Sequence, residues 1–267
     1  MRILLTGASG HIGSVLTARL HDEHSIRGVD LRPPEGSVRE AIGSDFIVGD
    51  CADPALAARA VEGVEAVVHL AGIATETDLP AILNTHVETT AALLDAMVNH
   101  RVNRMVYASS NHAVGMTPRC ELLGIGVPPR PDTFYGVGKV AAEGLLSLYA
   151  DRHGISSVAM RIGSFLEQPQ TRRGLSTWLS YDDCTRMVRA SLTADIEGVA
   201  TIYGISNNTD AWWDLMPGRA LGYHPQDDAA TFASEIPPRP EDDIEGARVG
   251  GPLATSAFRL PPFGEAR

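Results

Sequence analysis

The sequence predicts an α/β fold in which a doubly wound parallel sheet carries helices on both faces. Three observations support this fold class. Short apolar runs alternate with segments of helical periodicity along most of the chain. The runs lack a polar face, which is typical of parallel strands buried on both sides. The first run, residues 2–6, leads directly into three glycines at three-residue spacing, a turn that joins a strand to a helix.

Five strands are predicted before residue 110, with helices between them. The strands cover residues 2–6, 26–30, 46–48, 66–70 and 104–108. A helix follows the glycines, because apolar residues recur at helical spacing from residue 12 to residue 20. Further helices are predicted over 53–60, with Asp53 as N-cap before a proline, and over 79–100. Residues 32–44 contain two prolines and two glycines and are predicted to be irregular.

The second half begins with a loop rich in proline and glycine, residues 115–133, at the end of the fifth strand. Open α/β sheets form their ligand crevice at such strand ends. Helices are then predicted over 135–153 and 180–190, the latter capped by Ser180, and strands over 157–162 and 200–203. The proline-rich chain beyond residue 236 is expected to cover the surface without much regular structure. We expect one domain over 1–267, with a small C-terminal part and substrate-binding segments at about 112–134, 163–180 and 204–267.

The composition limits the class of protein. At 267 residues, 44% of them hydrophobic, the chain is long enough to bury one large core. The net charge of −11 argues against nucleic acid and membrane surfaces as partners, although placed arginines can still attract an anionic substrate. Three cysteines without paired or metal-like spacing indicate reduced thiols, no metal site and a cytoplasmic location. Neither a membrane-spanning run nor a signal peptide is expected.

The glycine turn indicates a dinucleotide site. Gly7, Gly10 and Gly13 permit a tight turn and close backbone approach, and the following helix N-terminus attracts a pyrophosphate. Asp30 ends the second strand, where a carboxylate can bind ribose hydroxyls and repel a 2′-phosphate. NAD is therefore favoured over NADP, although Arg32 could soften this discrimination. An ordinary strand-end turn is the alternative interpretation of Asp30.

Other strand ends supply further candidates for the cofactor site. Asp50 and Cys51 could flank the adenine ring, and Ala71 and Gly72 could approach the pyrophosphate or ribose; all four would also suit ordinary turns. The complete predicted cofactor site consists of Gly7, Gly10, His11, Ile12, Gly13, Asp30, Asp50, Cys51, Leu70, Ala71, Gly72, Ser109, Tyr135, Lys139 and Ile162.

A tyrosine and the only lysine form the candidate catalytic pair. The chain holds 21 arginines but one lysine, Lys139, four residues after Tyr135. An ammonium is a compact charge whose pKa can shift, whereas a guanidinium stays protonated. One helical turn apart, the ammonium is predicted to lower the phenol pKa from about 10 and make Tyr135 a general base. A surface helix with this spacing by chance is the alternative.

Ser110 completes the predicted catalytic set. It follows the fifth strand, so its hydroxyl is expected at the crevice, where it can hydrogen-bond a reacting oxygen. With Tyr135 and Lys139 it suits proton removal coupled to hydride transfer to a nicotinamide. A Ser–His hydrolase built on His112 is disfavoured, because the chain lacks a Gly-x-Ser-x-Gly turn.

These motifs resemble the short-chain dehydrogenase/reductase superfamily, on its extended, epimerase/dehydratase-like branch with a Rossmann-type fold. A closer similarity to uronate dehydrogenases extends over most of the chain. It is carried by six further stretches: Ser109-Ser110-Asn111-His112, Arg130-Pro131-Asp132, Tyr135-Gly136-Val137, Arg161-Ile162-Gly163-Ser164, Leu175-Ser176-Thr177-Trp178 and Trp212-Trp213-Asp214.

The resemblance implies oxidation of the C1 hydroxyl of a hexuronic acid to an aldarolactone, with NAD as acceptor. Tyr135 would be the base, Lys139 its activator and Ser110 the hydroxyl partner. Arg173 would pair with the substrate carboxylate, a role that suits its planar guanidinium. The adjacent Arg172 is an alternative candidate for this contact. The implied substrate site consists of Ala74, Ser110, Asn111, His112, Tyr135, Ser164 and Arg173. Self-association through helices is also implied.

Two departures from the family pattern leave the substrate open. Relatives usually carry serine at the position of Ala74, and their helical asparagine falls at His86, with Asn84 two residues earlier. A neutral aldose or another sugar acid is therefore an alternative substrate. A nucleotide-sugar epimerase or dehydratase and a non-catalytic dinucleotide sensor are alternative functions. The Trp212-Trp213 pair could stack on sugar or pack in the core.

Overall fold

The sheet is parallel throughout and confirms the predicted fold class. The computed structural model describes residues 1–264, apart from the side chain of Ser37; the last three residues of the predicted 204–267 segment lie outside the described residues. Seven strands form one sheet in the order β3-β2-β1-β4-β5-β6-β9, and β7 pairs with β8. The strands are β1 Arg2–Thr6, β2 Ser25–Asp30, β3 Phe46–Val48, β4 Ala66–His69, β5 Arg104–Ser110, β6 Ser156–Ile162, β7 Ser164–Phe165, β8 Trp178–Leu179 and β9 Val199–Gly204.

Helices follow the strands and cover both faces of the sheet. They are α1 His11–Leu20, α2 Gly36–Ile42, α3 Pro54–Val61, α4 Leu79–Ile82, α5 Thr89–His100, α6 Phe134–His153, α7 Gly174–Thr177, α8 Tyr181–Thr193, α9 Met216–Ala220 and α10 Asp242–Gly246. A π-helical segment, Leu83–Glu88, joins α4 to α5, so that the predicted helix over 79–100 is continuous. Short 3₁₀ segments lie at Asn111–Val114, Ala229–Glu235 and Gly251–Ala254.

Side-chain caps fix where the helices begin. Asp53 accepts the N–H of Ala55 at the start of α3, with a proline in the first turn, and Ser180 accepts the N–H of Asp183 at the start of α8. Both predicted caps are confirmed. Thr133 caps α6 in the same way by accepting the N–H of Gly136 at 2.9 Å. Since these side chains satisfy N–H groups that have no intrahelical partner, they set the register of each helix.

The segment 32–44 corrects an expectation. It contains the helix α2, although prolines and glycines predicted an irregular connection. Val38 and Ile42, one turn apart, are both buried in the core beside α1 and β2, and this burial outweighs the weak local signal. The two-residue strands β7 and β8 and the short helices α7, α9 and α10 were not predicted either, because such short segments carry no readable periodicity.

Successive strand residues pack into separate cores on the two faces of the sheet. In β1, Ile3 and Leu5 join one core and Leu4 joins the other. A third cluster lies near the C-terminal ends of the strands, where Trp212 and Trp213 stack at 4.6 Å and the Trp213 indole donates to the carbonyl of Ser176. Both tryptophans are buried, which supports the core-packing interpretation of this pair.

Within residues 1–264, none of the helices combines the length and the apolar character needed to cross a bilayer.

Candidate active site

A cleft runs along the carboxyl ends of the strands and has two adjoining parts. The N-terminal part encloses about 390 Å³ and lies against the glycine turn and the ends of β2 and β3. The central part encloses about 260 Å³ and lies against the ends of β5 and β6. The two share six lining residues: His11, Ile12, Leu70, Gly72, Ile73 and Ala74. Together they form one extended groove at the edge where parallel sheets bind ligands.

The glycine turn lines the N-terminal part of the cleft. Gly7 adopts φ +70°, and a methyl group at Gly13 would overlap the carbonyl oxygen of Gly7. The turn therefore brings the N-terminus of α1 directly against the end of β1. Among the described residues, no side chain caps α1, so the N–H groups of its first turn lie at the cleft without a side-chain acceptor. This cradle suits the pyrophosphate of a dinucleotide.

Asp30 lies at the far wall of the same part. Its carboxylate accepts the backbone N–H of Ser9 at 3.0 Å and that of Arg32 at 3.2 Å, which fixes its orientation. Arg32 also lines this wall. The predicted residues Gly10, Asp50, Cys51, Ala71 and Gly72 line it too. Burial, with the nearby charges of Asp50 and Asp30, raises the pKa of Cys51 to about 12, so this residue is a packed thiol.

The three predicted catalytic side chains meet in the central part. Ser110 at the end of β5 and Tyr135 and Lys139 on α6 line it, together with Ser109 and Ile162. The Lys139 Nζ donates to the carbonyl of Ala108 at 2.5 Å and lies 5.4 Å from the centroid of the Tyr135 ring. Burial lowers the pKa of Lys139 to about 7, partly opposed by the charge of Glu143.

The predicted effect on the phenol is wrong in direction. Burial raises the pKa of Tyr135; a hydrogen bond with Ser110 lowers it, and the charge of Asp132 raises it further. The spacing argument considered the ammonium alone. In the folded protein the phenolate would be stripped of water, and the same burial weakens the positive charge on Lys139.

Glu143 extends the row of Tyr135 and Lys139 by one more turn, a contact that the sequence did not reveal. Its carboxylate accepts hydrogen bonds from the Ser109 hydroxyl at 2.5 Å, from Arg161 Nε at 3.0 Å and from Arg161 Nη2 at 2.8 Å. Glu143 and Arg161 are thus a bidentate ion pair that joins α6 to β6. Because the Ser109 hydroxyl is engaged there, only the rest of Ser109 is available to a ligand in the cleft.

Of the predicted substrate residues, Ala74, Ser110 and Tyr135 line the central part of the cleft. The other four lie in a layer beside it and are not among the lining residues of either part: Asn111, His112, Ser164 and Arg173. Asn111 and Arg173 both donate to the carbonyl of Val249, at 3.3 and 2.5 Å, although they are far apart in the chain. Burial lowers the pKa of Arg173, opposed by the charges of Asp132 and Glu245. The Arg173 Nε is buried and has no hydrogen-bond partner among the residues that the structure describes. The Ser164 hydroxyl, unlike the Arg173 Nε, has a hydrogen-bond partner, the Thr177 hydroxyl at 2.9 Å.

His112 is oriented by a buried carboxylate. Its Nδ1 lies 2.8 and 3.0 Å from the two carboxylate oxygens of Asp132, whose side chain is fully buried. Its ring meets the Tyr135 ring edge to face at 5.8 Å. An Nδ1–H donated to Asp132 leaves Nε2 as an acceptor. With Nδ1 held by Asp132, His112 can accept a hydrogen bond from a ligand hydroxyl at Nε2. It is not placed to act as a base for Ser110, because the hydrogen bond between the two residues runs from the His112 backbone N–H to the Ser110 hydroxyl oxygen.

The two departures from the family pattern both line the cleft. Ala74 lines both parts and offers a methyl group instead of a hydroxyl. His86 lines the central part, 5.3 Å from the Tyr135 ring, and its Nε2 is 2.9 Å from the carbonyl of Ile73. Burial and the charge of Lys139 lower the His86 pKa to about 3, so that the imidazole is neutral. Asn84 instead donates to Glu88, away from the cleft.

Sequence reasoning missed three residues that contact the candidate site residues: Glu76, Asp132 and Val249. Glu76 accepts hydrogen bonds from the N–H groups of Phe134 and Tyr135. A local sequence pattern does not predict a contact between residues so far apart in the chain. Asp132 stood in a recognised stretch beside the catalytic helix, which was a usable signal. Val249 acts through its backbone carbonyl, for which side-chain identity gives no sign. Within residues 1–264, no three His, Cys, Asp or Glu side chains cluster as a metal site requires.

Comparisons with known proteins agree with this geometry. Residues 3–170 match the model of the NAD dependent epimerase/dehydratase family. A uronate dehydrogenase of Pseudomonas syringae pv. tomato is 36% identical, over 99% of this chain and 95% of the relative. A mutant uronate dehydrogenase from Agrobacterium tumefaciens, solved in complex with NAD, superposes with a TM-score of 0.89 at 34% identity and 99% coverage of both chains. An NAD-dependent glucose-6-phosphate dehydrogenase of Haloferax volcanii is 34% identical, over 90% of this chain and 98% of the relative.

Proposed function

Because the chain belongs to the NAD-dependent epimerase/dehydratase family and is an NAD-dependent oxidoreductase, we propose that it oxidises a hexuronic acid at the C1 hydroxyl to an aldarolactone. The observation that carries the proposal is the convergence of Ser110, Tyr135 and Lys139 in a cleft continuous with the glycine turn. Glucuronate and galacturonate are the substrates we expect.

The N-terminal part of the cleft would hold the cofactor. The first turn of α1 would face the pyrophosphate, and Asp30 would accept hydrogen bonds from the adenosine ribose. When bound, NAD supplies the acceptor for the hydride that leaves C1. The chain itself then has to bind the sugar, orient C1 and remove the hydroxyl proton.

Tyr135 would accept that proton at its phenolate oxygen. The Ser110 hydroxyl would hydrogen-bond the same substrate oxygen and hold it in line with the phenol. Because burial raises the pKa of Tyr135, the phenolate needs the positive charge of Lys139 beside it. Burial brings the pKa of Lys139 to about 7, so the strength of this support changes with pH near neutrality.

The anion of the substrate would be bound by Arg173. Its guanidinium keeps a buried Nε that has no partner within residues 1–264, and this N–H is a donor available to a carboxylate. His112 would accept a hydrogen bond from a sugar hydroxyl, since Asp132 holds its other nitrogen. Asn111 and Ser164 are the remaining polar candidates in this layer.

The direct test is NADH formation, followed by ultraviolet absorbance, with glucuronate and galacturonate. We expect turnover by the wild-type protein and none by Tyr135→Phe, which keeps the ring but loses the proton acceptor. The variant should still bind NADH, measured by fluorescence, as its control for an intact cofactor site. Turnover by Tyr135→Phe at the wild-type rate would exclude the phenol as the base. Absence of wild-type turnover with both uronates would reject the proposed substrate.

A second candidate substrate is a phosphorylated or neutral aldose. It is favoured by the methyl group of Ala74 in the cleft and by the resemblance to the Haloferax volcanii glucose-6-phosphate dehydrogenase. Arg173 would suit a phosphate as well as a carboxylate. A panel of uronates, glucose, arabinose and glucose 6-phosphate, each with NAD, separates these substrates by kcat/KM.

A nucleotide-sugar epimerase or dehydratase is a weaker candidate. The UDP-glucose 4-epimerase of Corynebacterium glutamicum is 30% identical over only 60% of this chain and 50% of the relative, whereas the Pseudomonas syringae uronate dehydrogenase is matched over nearly its whole length. Stabilisation by UDP-glucose in a thermal melt, stronger than that by glucuronate, would favour this function. A dinucleotide sensor would bind NAD equally well before and after Tyr135→Phe but oxidise no sugar.

A further inference from the structure

We propose that the tail segment Arg248–Gly251 is part of the substrate site and acts as the positioning element for Arg173 and His112. This inference rests on the proposed function, because it concerns how the same site recognises its anionic sugar. The segment lies beyond residues 3–170, the range that the family model matches. It therefore adds a part of the site that the family pattern does not describe.

The tail is fixed to the loop that follows β5. The N–H of Val249 donates to the carbonyl of Thr117 at 3.0 Å, and that of Gly250 donates to the carbonyl of Gly115 at 2.9 Å. The Arg248 side chain donates to the carbonyl of Met116 at 2.8 Å. These three bonds hold the tail against the segment that starts at Ser110 and contains His112.

One carbonyl then joins two substrate residues. The Val249 oxygen accepts from Asn111 on one side and from Arg173 on the other. Val249 is fully buried, so water does not compete for this acceptor. Of the Arg173 fork, one arm is thereby fixed to the tail, while the buried Nε stays unpaired. This arrangement pre-orients the guanidinium before an anion arrives.

The two glycines after Val249 leave room for the charged side chains. A methyl group at Gly250 would overlap the carboxylate of Asp132, which orients His112. A methyl group at Gly251, where φ is +65°, would overlap Nε of Arg173 and come within 2.8 Å of its Cζ. Gly251 thus packs directly against Arg173, and Gly250 packs against Asp132, the carboxylate that orients His112.

The experiment compares Gly251→Ala and Gly250→Ala with matched alanine controls in the same tail. Gly264 has φ +74°, and among residues 1–264 a methyl group added there would meet nothing within 4 Å, so Gly264→Ala reproduces the backbone strain of Gly251→Ala without the overlap. Gly246 has no positive φ, and a methyl group there would meet no described part of the chain within 4 Å, so Gly246→Ala is the control for Gly250→Ala. Steady-state kinetics with glucuronate and NAD, and thermal melts, are measured for all four variants.

We expect the glucuronate KM to rise about tenfold in Gly251→Ala and Gly250→Ala, with the NAD KM unchanged and both controls like wild type. In addition, Arg173→Ala combined with Gly251→Ala should be no worse than Arg173→Ala alone, because Gly251 acts through Arg173. A merely structural glycine would raise both KM values together with a lower melting temperature.

Two further outcomes also overturn the inference, and all three differ from failure of the proposed function. If wild type oxidises uronates but Gly251→Ala and Gly264→Ala have equal glucuronate KM values, the tail does not position Arg173. If the double variant loses the full sum of both single effects, the two residues act independently. Inactivity of the wild type towards both uronates would instead reject the proposed function itself, and this inference with it.

Discussion

The carboxylate of Glu76 accepts the backbone N–H of Tyr135 at 2.8 Å, and its other oxygen accepts the N–H of Phe134 at the same distance. One acidic side chain therefore satisfies two N–H groups in the first turn of α6, the helix that carries the candidate base. The favourable charge at a helix N-terminus strengthens both bonds. This contact fixes the segment that bears Ala74 to α6, so the position of this wall of the cleft relative to Tyr135 is set.

Glu76→Ala should destabilise the protein by about 1 kcal/mol, because two N–H groups at the helix start lose their acceptor. We also expect the fold decrease in kcat to exceed the fold increase in the NAD KM. The substitution affects the position of Tyr135 and leaves the glycine turn unchanged. Denaturant unfolding and steady-state kinetics measure the two effects. Thr75→Ala, an exposed neighbour, is the control. Identical stability of the two variants would contradict the capping role.

The stability of the protein should rise with pH above neutrality because of Lys139. Its folded pKa is about 7, below the value of 10.5 for an unperturbed lysine. Between these values the unfolded chain binds one proton that the folded protein has released, so raising the pH favours folding. Urea midpoints from about pH 7 to about pH 9 should therefore increase for wild type and stay flatter for Lys139→Met. An equal slope in both proteins would mean that Lys139 keeps its proton when folded.

Arg173→Ala should raise the glucuronate KM by about tenfold or more while the NAD KM stays near the wild-type value, because a charge-assisted contact to the substrate is lost. Arg172→Ala is the matched control, since Arg172 is the adjacent arginine and is exposed. Kinetics with varied glucuronate at saturating NAD, and the reverse, separate the two constants. A larger effect from Arg172→Ala would transfer the anion-binding role to that residue.

Asp30→Asn should weaken discrimination between NAD and NADP. The neutral amide can still accept a hydrogen bond from the ribose, but it no longer repels a 2′-phosphate. We expect the NAD KM to rise by less than about tenfold and kcat/KM with NADP to increase. Glu35→Gln removes an exposed carboxylate outside the cleft lining and serves as the control. Unchanged cofactor preference would assign the discrimination to Arg32 or to another residue.

Local signals explain what could be predicted from the sequence. Apolar runs predicted the seven strands of the main sheet. Asp53 and Ser180 predicted two helix starts. Strand patterns and N-caps depend only on residues that are close in the chain, so both could be recognised. Chemistry-bearing residues at strand ends were also recognisable, since parallel strands bring their carboxyl ends to one edge.

Long-range relationships explain what was missed. The contact of Val249 with Asn111 spans 138 residues and uses a backbone carbonyl, so no sequence pattern encodes it. The direction of the Tyr135 pKa depends on how much water the surrounding chain excludes, and the spacing to Lys139 carries no information on that. The helix α2 formed in a segment whose prolines and glycines predicted an irregular connection, because Val38 and Ile42 are buried in the core.

The burial of Lys139 has a practical consequence for labelling chemistry. It is the one lysine in the sequence, and only 4% of its surface is accessible. Apart from the terminal amine, reagents that acylate or crosslink primary amines therefore find no side-chain target on the folded protein. Incorporation of such a label at this residue would report opening of the cleft, with a single reactive position to locate by mass spectrometry.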